Sequence, residues 1–536
     1  MGGTGYGRPA SITTDNNGDI YTTGHFENTV DFDPNAVTRN LTSNGSHDIF
    51  IQKLSADGSL IWVKQMGGEG SDVGRAITTD DNGNVYTTGT FSGTVDFDPG
   101  IETTNLISKS VHSSFIQKLF NNGNLNWVKR IGGQKDDVLC LAIATDLSGN
   151  VYTTGSFYET VGFGEGTKMI YLNSAGWADI FIQKLDSTGA LLWTKQMGGT
   201  DFESGTSITT DIDGNVYTTG YFNGTVDFDP GAEKANLTSN GDNDIFIQKL
   251  DAGGNFLWVK QMGGAGSDNA TSITTDINGN VYTTGYFYET VDFNPGDVTA
   301  NLTSKGNNDI FIQKLNAEGD FRWVKQMGGS SNDYSESITT DARGNVYTAG
   351  YFYDTVDFDP GGETANLISN GSSDIFIQKL DSLGHFQWVK QVGGTSEDRG
   401  TAIGIDDNGN IYTTGGFRET VDFGPGTGTT NLTSKGNLDV FILKLSQTTV
   451  GITQNTFTEN IQVYPNPTTG NFAIKFETIQ KDLSVRIMSI PGQTIENRIF
   501  QNTDFVELNL NQPDGIYLVV VLNEKGNSTG FRLIKK

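Results

Sequence analysis

The residues able to do chemistry in this chain are carboxylates at regular spacing. One set sits in Asp15-Asn-Asn-Gly-Asp19, Asp80-Asp-Asn-Gly-Asn84 and Asp211-Ile-Asp-Gly-Asn215. Oxygens at the first, third and fifth places suit calcium, which takes several hard oxygen ligands. Glycine, however, stands at the fourth place rather than the sixth, and no acid closes the loop at the twelfth. The same residues make an ordinary hairpin turn, with glycine supplying positive φ and aspartate bonding its own backbone. The turn reading is preferred, and no cofactor is expected beyond calcium as the one ion this chemistry admits.

A second set is the phrase Asp-Phe-Asp-Pro-Gly, with pairs at Asp31/Asp33, Asp96/Asp98, Asp227/Asp229 and Asp357/Asp359. Gly162/Gly164 and Asp422/Gly424 stand at the same places elsewhere. Such pairs could hold cations or bind sugar hydroxyls, but Asp-Pro-Gly is also turn chemistry with solvated carboxylates, which is the preferred reading. The most distinctive segment is Gly164-Glu-Gly-Thr-Lys-Met-Ile-Tyr-Leu-Asn-Ser-Ala-Gly-Trp177. Trp177 and Tyr171 within it are candidate ligand-binding residues, with Asp227, Asp229, Asp357 and Asp359, because flat aromatic faces stack on sugar rings. The competing expectation for Trp177, and the commoner outcome for such a residue, is an aromatic buried under a variant loop. Catalysis needs groups whose environments differ, whereas these acids recur in register. No nucleophile elbow, phosphate loop or paired histidine ligands occur. The chain reads as no enzyme.

The elements that carry these residues are copies of one unit. The marker aspartates Asp15, Asp80, Asp146, Asp211, Asp276, Asp341 and Asp406 lie 65 or 66 residues apart. A fixed period of this kind signals stacked or circular units that cannot bury their faces alone. In the fourth copy, strands are expected over 206–210, 216–222, 245–250 and 256–261, with a small hairpin inserted within 223–243. Four antiparallel strands repeated seven times predict an all-β, seven-bladed β-propeller. The inserted hairpins and the Gly-Gly links share one face, the candidate interaction face. Lys260 and its equivalents fall on outermost strands, where charge discourages edge pairing.

Both ends of the array are irregular. The outer-strand tryptophan recurs as Trp62, Trp127, Trp193, Trp258, Trp323 and Trp388, but Thr453 takes its place in the seventh copy. Met1-Gly2-Gly3 matches Met197-Gly198-Gly199 in register. That predicts an internal methionine taken as the start, with the strand that completes the seventh blade upstream. A genuine start with a three-stranded last blade is the alternative.

Charge and composition exclude several classes. The net charge is −28, yet eight of the 63 acids and eight of the 35 bases lie beyond residue 449, so the repeats carry all of it. Such a field repels nucleic acid and anionic lipid. No apolar run is long enough to span a membrane. The single Cys140 forbids an internal disulfide and is expected to fill the core. His25, His47, His112 and His385 are expected at the surface rather than as ligands or bases.

After Leu445 the period stops. A polar linker is placed at 448–458, and a small β-sandwich of balanced charge at 459–536 after a propeller at 1–447.

With Asn-Gly-Asn-Val-Tyr-Thr-Thr-Gly, Asp-Ile-Phe-Ile-Gln-Lys-Leu and Leu-Trp-Val-Lys-Gln, residues 1–445 resemble the bacterial seven-bladed β-propeller repeat family, which implies a fold and no single activity. The tail resembles the C-terminal sorting domain of type IX secretion in Bacteroidetes. It does so through Tyr464-Pro465-Asn466-Pro467 with Gly470, Gly492-Gln493, Gly515-Ile516-Tyr517 and Lys535-Lys536. That resemblance implies contact with the secretion machinery, passage through the outer membrane, removal of the tail, and surface anchoring or release. Such cargo should carry an N-terminal secretory signal, and residues 1–10 show no such pattern.

The expected function is that of an exported, monomeric, non-catalytic binding or adhesion module, with a glycan or protein ligand on the hairpin face. The rival readings are a polysaccharide-acting propeller enzyme and a passive surface protein.

Overall fold

The computed structural model describes the chain except residues 36, 110, 133–137, 427, 448–460, 490–493, 514 and 524–527. It divides into Met1–Ser446 and Gln447–Lys536. The expected linker and the Gly492-Gln493 pair lie outside the described residues.

The fourth repeat shows how the first unit is built. Its inner strand Glu203–Thr210 turns at Asp211 into Val216–Phe222, a run of β-branched and aromatic residues suited to a pleated, buried surface. The turn needs Gly214 at φ +77°, a region closed to most side chains. The third strand, Asp244–Leu250, and the outer strand, Phe256–Gly264, complete the antiparallel order. Between the second and third strands lies the hairpin Thr225–Asp227 and Asn236–Thr238, which packs Val226, with Phe228 after it, into the core beside Phe246.

Among the described residues, seven such sheets follow one another: six hold four strands in this order, and the seventh holds three. Their middle strands are buried along nearly their whole length because each sheet is covered on both faces by its neighbours. Seam cores mix two sheets: Tyr152, Ile180 and Met197 of the third pack with Val216, Phe222 and Phe246 of the fourth. Cys140 belongs to such a core, where burial pushes its thiol up to about 12.

The ring is drawn shut along the inner strands. Thr275 donates its hydroxyl to the Thr210 carbonyl one sheet back (3.3 Å), Thr210 to Thr145 (3.2 Å), Thr145 to Thr79 (3.1 Å) and Thr79 to Thr14 (3.3 Å). Thr14 then donates to Ile405 of the seventh sheet at 3.4 Å. Gly263 and Gly264 leave the fourth sheet to pair with Asp292 and Val291 of the next hairpin. Gly2 and Gly3 pair with Asp31 and Val30 in the same manner, and the Met1 backbone pairs with Val440.

The second unit is one five-stranded sheet, so its sandwich-like core comes from a bend and not from two separate sheets. The long strand Asn471–Ser489 loses register between Lys475 and Gln480. Phe472 and Ile474 before the break, and Leu483 and Val485 after it, share one core with Val519 and Leu533.

Candidate functional site

The marker aspartates are engaged by their own turns. Asp211 Oδ1 accepts the N–H groups of Asp213 (3.0 Å) and Asn215 (2.9 Å). Its Oδ2 accepts the Asn215 amide (2.8 Å) and the buried Tyr217 hydroxyl (2.9 Å), with the Lys249 ammonium 3.8 Å away. The hairpin acids brace their loops likewise. Asp227 Oδ1 accepts from Asp229 N (3.2 Å) and Ala235 N (3.0 Å), and Asp229 Oδ1 from Gly231 N (2.7 Å). Asp357 and Asp359 repeat the pattern two sheets further round. Among the described residues, no group of three or more His, Cys, Asp or Glu is placed to hold a metal.

Trp177 and Tyr171 stand open to solvent, 78% and 67% exposed, where a buried tryptophan was the competing expectation. Tyr171 is on the hairpin strand Ile170–Asn173 and lies over Gly162, where a Cβ would be 3.2 Å from its ring. The glycine that replaces the usual aspartate therefore makes room for the ring. Trp177 leads into the third strand of that sheet, its N–H bonded to the Asp201 carbonyl at 3.1 Å. No ring contact joins the two among the described residues. A groove of about 220 Å³, which neither ring lines, is formed by Lys129, Glu165 and Lys168 with Leu185 and Leu191, and Lys129 and Glu165 pair at 2.8 Å.

Two features escaped the sequence reading. First, buried acids tie four of the Gly-Gly links to the hairpins that follow. Asp268 accepts Gly264 N (2.9 Å) and Tyr288 N (3.1 Å), and Asp333 accepts Gly329 N (2.9 Å) and Tyr353 N (3.1 Å). Burial pushes both carboxyls up to about 7, against the pull of those N–H groups; Asp72 and Asp398 rise to about 6. Second, aromatic side chains run from sheet to sheet at the hairpin-side end of the inner strands. Tyr158 meets Phe202, Phe202 stacks on Tyr221, and Tyr286 meets Tyr334, which packs on Tyr351. His25 sits nearby, 5.1 Å from the His47 ring, and so is no plain surface residue. Burial holds it neutral, down to about 3, helped by His47, Arg8 and Arg75. These positions vary between repeats, which was the signal available.

In the second unit the sorting residues converge although they lie far apart in sequence. The Asn466 amide donates to the Arg532 carbonyl (2.6 Å) and accepts from Ile534 N (2.9 Å). Thr468 bridges to Lys535, and Lys536 N donates to the Thr468 carbonyl at 2.9 Å. Gly470 takes φ +133°, and Lys535 reaches the Gln512 carbonyl. Tyr517, behind Gly515, donates to Pro513 at 2.7 Å. Tyr464, Pro465 and Pro467 remain exposed at this corner.

A secretion system C-terminal sorting domain matches residues 462–536, and a beta-propeller repeat matches 61–90, 192–226, 257–286, 322–351 and 387–415. The chain carries propeller repeats and ends in a sorting domain. This propeller is thus cargo of type IX secretion, exported to the cell surface or beyond. It is 27% identical over 252 residues to "Uncharacterized WD repeat-containing protein L264" of Acanthamoeba polyphaga mimivirus, covering 41% of this chain and 18% of that protein. To "Regulatory protein FlaEY" of Caulobacter vibrioides it is 27% identical over 167 residues, covering 30% and 17%. The chain thus spans under a fifth of these curated relatives. Among solved structures, a copper-bound fungal alcohol oxidase of the AA5 family aligns over 86% of this chain and 96% of its own, at 12% identity and TM-score 0.30. A match that loose carries no argument about activity.

Proposed function

We propose that the exported propeller is a non-catalytic binding and adhesion module whose hairpin face takes a glycan. The observation that supports this reading is the exposure of Tyr171, on the hairpin that departs most from the repeat, and of Trp177, in the loop that follows it. Large aromatics left in water on a variant loop suit stacking against an apolar sugar face. The repeated acids favour binding over acid–base chemistry, since each is engaged by backbone N–H groups of its own turn or link. The sorting domain delivers the module and is itself removed at export, leaving the propeller anchored or released.

A glycan-array screen of the full chain, in calcium and in chelator, tests the reading. Binding that is lost in Trp177→Ala while the melting curve is unchanged supports it. Folded protein that binds nothing in either condition removes the carbohydrate reading, and a passive structural role then stands in its place.

A further inference from the structure

The seam between the seventh and first sheets collects positive charge that the rest of the propeller lacks. Of the eight arginines before residue 446, Arg8, Arg399 and Arg418 gather here, with Arg75 on the second sheet near enough to feel Arg8. Three of them, Arg8, Arg399 and Arg418, line a cleft of about 130 Å³ together with Tyr6, Glu397 and Gly416. The cleft exists because the seventh sheet has Gly416 where the fourth to sixth carry Tyr221, Tyr286 and Tyr351. Leu438 stands where that ring would begin, 2.9 Å from the place of a Cβ, and the cleft opens beside it.

The guanidinium groups outnumber their partners. Arg399 lies over the Tyr351 ring at 4.6 Å and pairs with Glu397 Oε1. The other oxygen of Glu397 is 3.7 Å from Arg418 Nε. The Nε atoms of Arg399 and Arg418 are buried and have no hydrogen-bond partner, and no ion pair holds Arg8 or Arg75 among the described residues. Glu336 also feels Arg8 and Arg399, and burial pushes its carboxyl up despite them. Among the ion pairs of the described residues, Glu397 is therefore shared by Arg399 and Arg418, and Arg8 takes part in none. A planar anion entering the cleft would meet preformed forks suited to two parallel hydrogen bonds.

We propose that this cleft binds the carboxylate of a uronic-acid residue in an acidic polysaccharide. The carboxylate would sit between Arg8 and the free edges of Arg399 and Arg418. The sugar is favoured over an acidic peptide because Tyr351, buried beneath Arg399, is followed by the half-buried rings of Tyr334 and Tyr286. The site does not use Trp177 and stands or falls without it.

The test is calorimetric titration of the full chain with an oligogalacturonide, its fully methyl-esterified form, and an acidic peptide of similar charge. The acid should bind at least about tenfold tighter than the ester and weaken with added salt. Arg8→Ala and Arg418→Ala should each lower affinity about tenfold, Arg418→Lys by less, and Trp177→Ala should keep the preference for acid over ester. Melting curves identify any variant that misfolds, and Arg418→Lys then carries the comparison. No binding of the oligogalacturonide, equal binding of acid and ester, or wild-type affinity in both folded arginine variants overturns the proposal. Equal, arginine-dependent binding of the peptide overturns the assignment to sugar.

Discussion

The indole N–H of Trp258 donates to the carbonyl of Ala317, 59 residues on and one sheet further round, at 3.2 Å. Its ring also lies against Gly319, where a Cβ would come within 3.2 Å. Gly123, Gly189, Gly254 and Gly384 press on Trp62, Trp127, Trp193 and Trp323 in the same way. Gly58 of the first sheet, with φ +87°, has nothing within 4 Å. Among the described residues, the seam between the seventh and first sheets thus lacks the wedge that locks its neighbours, and Asp439–Leu445 is less buried than its six equivalents. Amides of Asp439–Leu445 should exchange hydrogen faster than those of Asp374–Leu380. Equal protection would refute the idea of a weak seam. A peptide of residues 256–262 added in excess should slow that exchange.

Replacing one wedge should unlock a sound seam. Trp258→Ala removes a ring packed between two sheets and a hydrogen bond, at a cost of about 3 kcal/mol. Denaturant unfolding checks this, and a loss below about 1 kcal/mol would show the ring to be mere covering.

The buried link acids make stability depend on pH. Folded Asp268 and Asp333 titrate at about 7, well above the unfolded value of 3.8. The folded state therefore holds these protons more tightly, and the stability they contribute is full below about pH 4 and lost as pH rises through 7. The propeller should melt several degrees higher at pH 5 than at pH 8. In Asp268→Asn with Asp333→Asn the slope should flatten, because the amide mimics the protonated acid. An unchanged slope in that double variant would assign the effect to general charge repulsion instead.

In the tail, Asn466 ties the motif to the last strand with two hydrogen bonds. Asn466→Ala should cost about 1–3 kcal/mol and loosen Ser528–Lys535, read by exchange at Ile534. If export is scored, the variant should also accumulate inside the cell. Full stability with lost export would mean the asparagine is read directly by the machinery.

The period of the marker aspartates, the turn glycines and the β-branched strands determined the four-stranded unit, because strand alternation and turn chemistry are local. The phrase Tyr464-Pro465-Asn466-Pro467 likewise disclosed the sorting domain without any contact being known. What local pattern could not decide is where variant residues of different repeats meet. Arg8 and Arg399 are almost four hundred residues apart in sequence and become neighbours only when the ring closes through Thr14 and Ile405. The exposure of Trp177 and the raised carboxyls of Asp268 and Asp333 were hidden for the same reason. Burial and field are set by which sheet lies alongside, and only the closed tertiary structure chooses that neighbour.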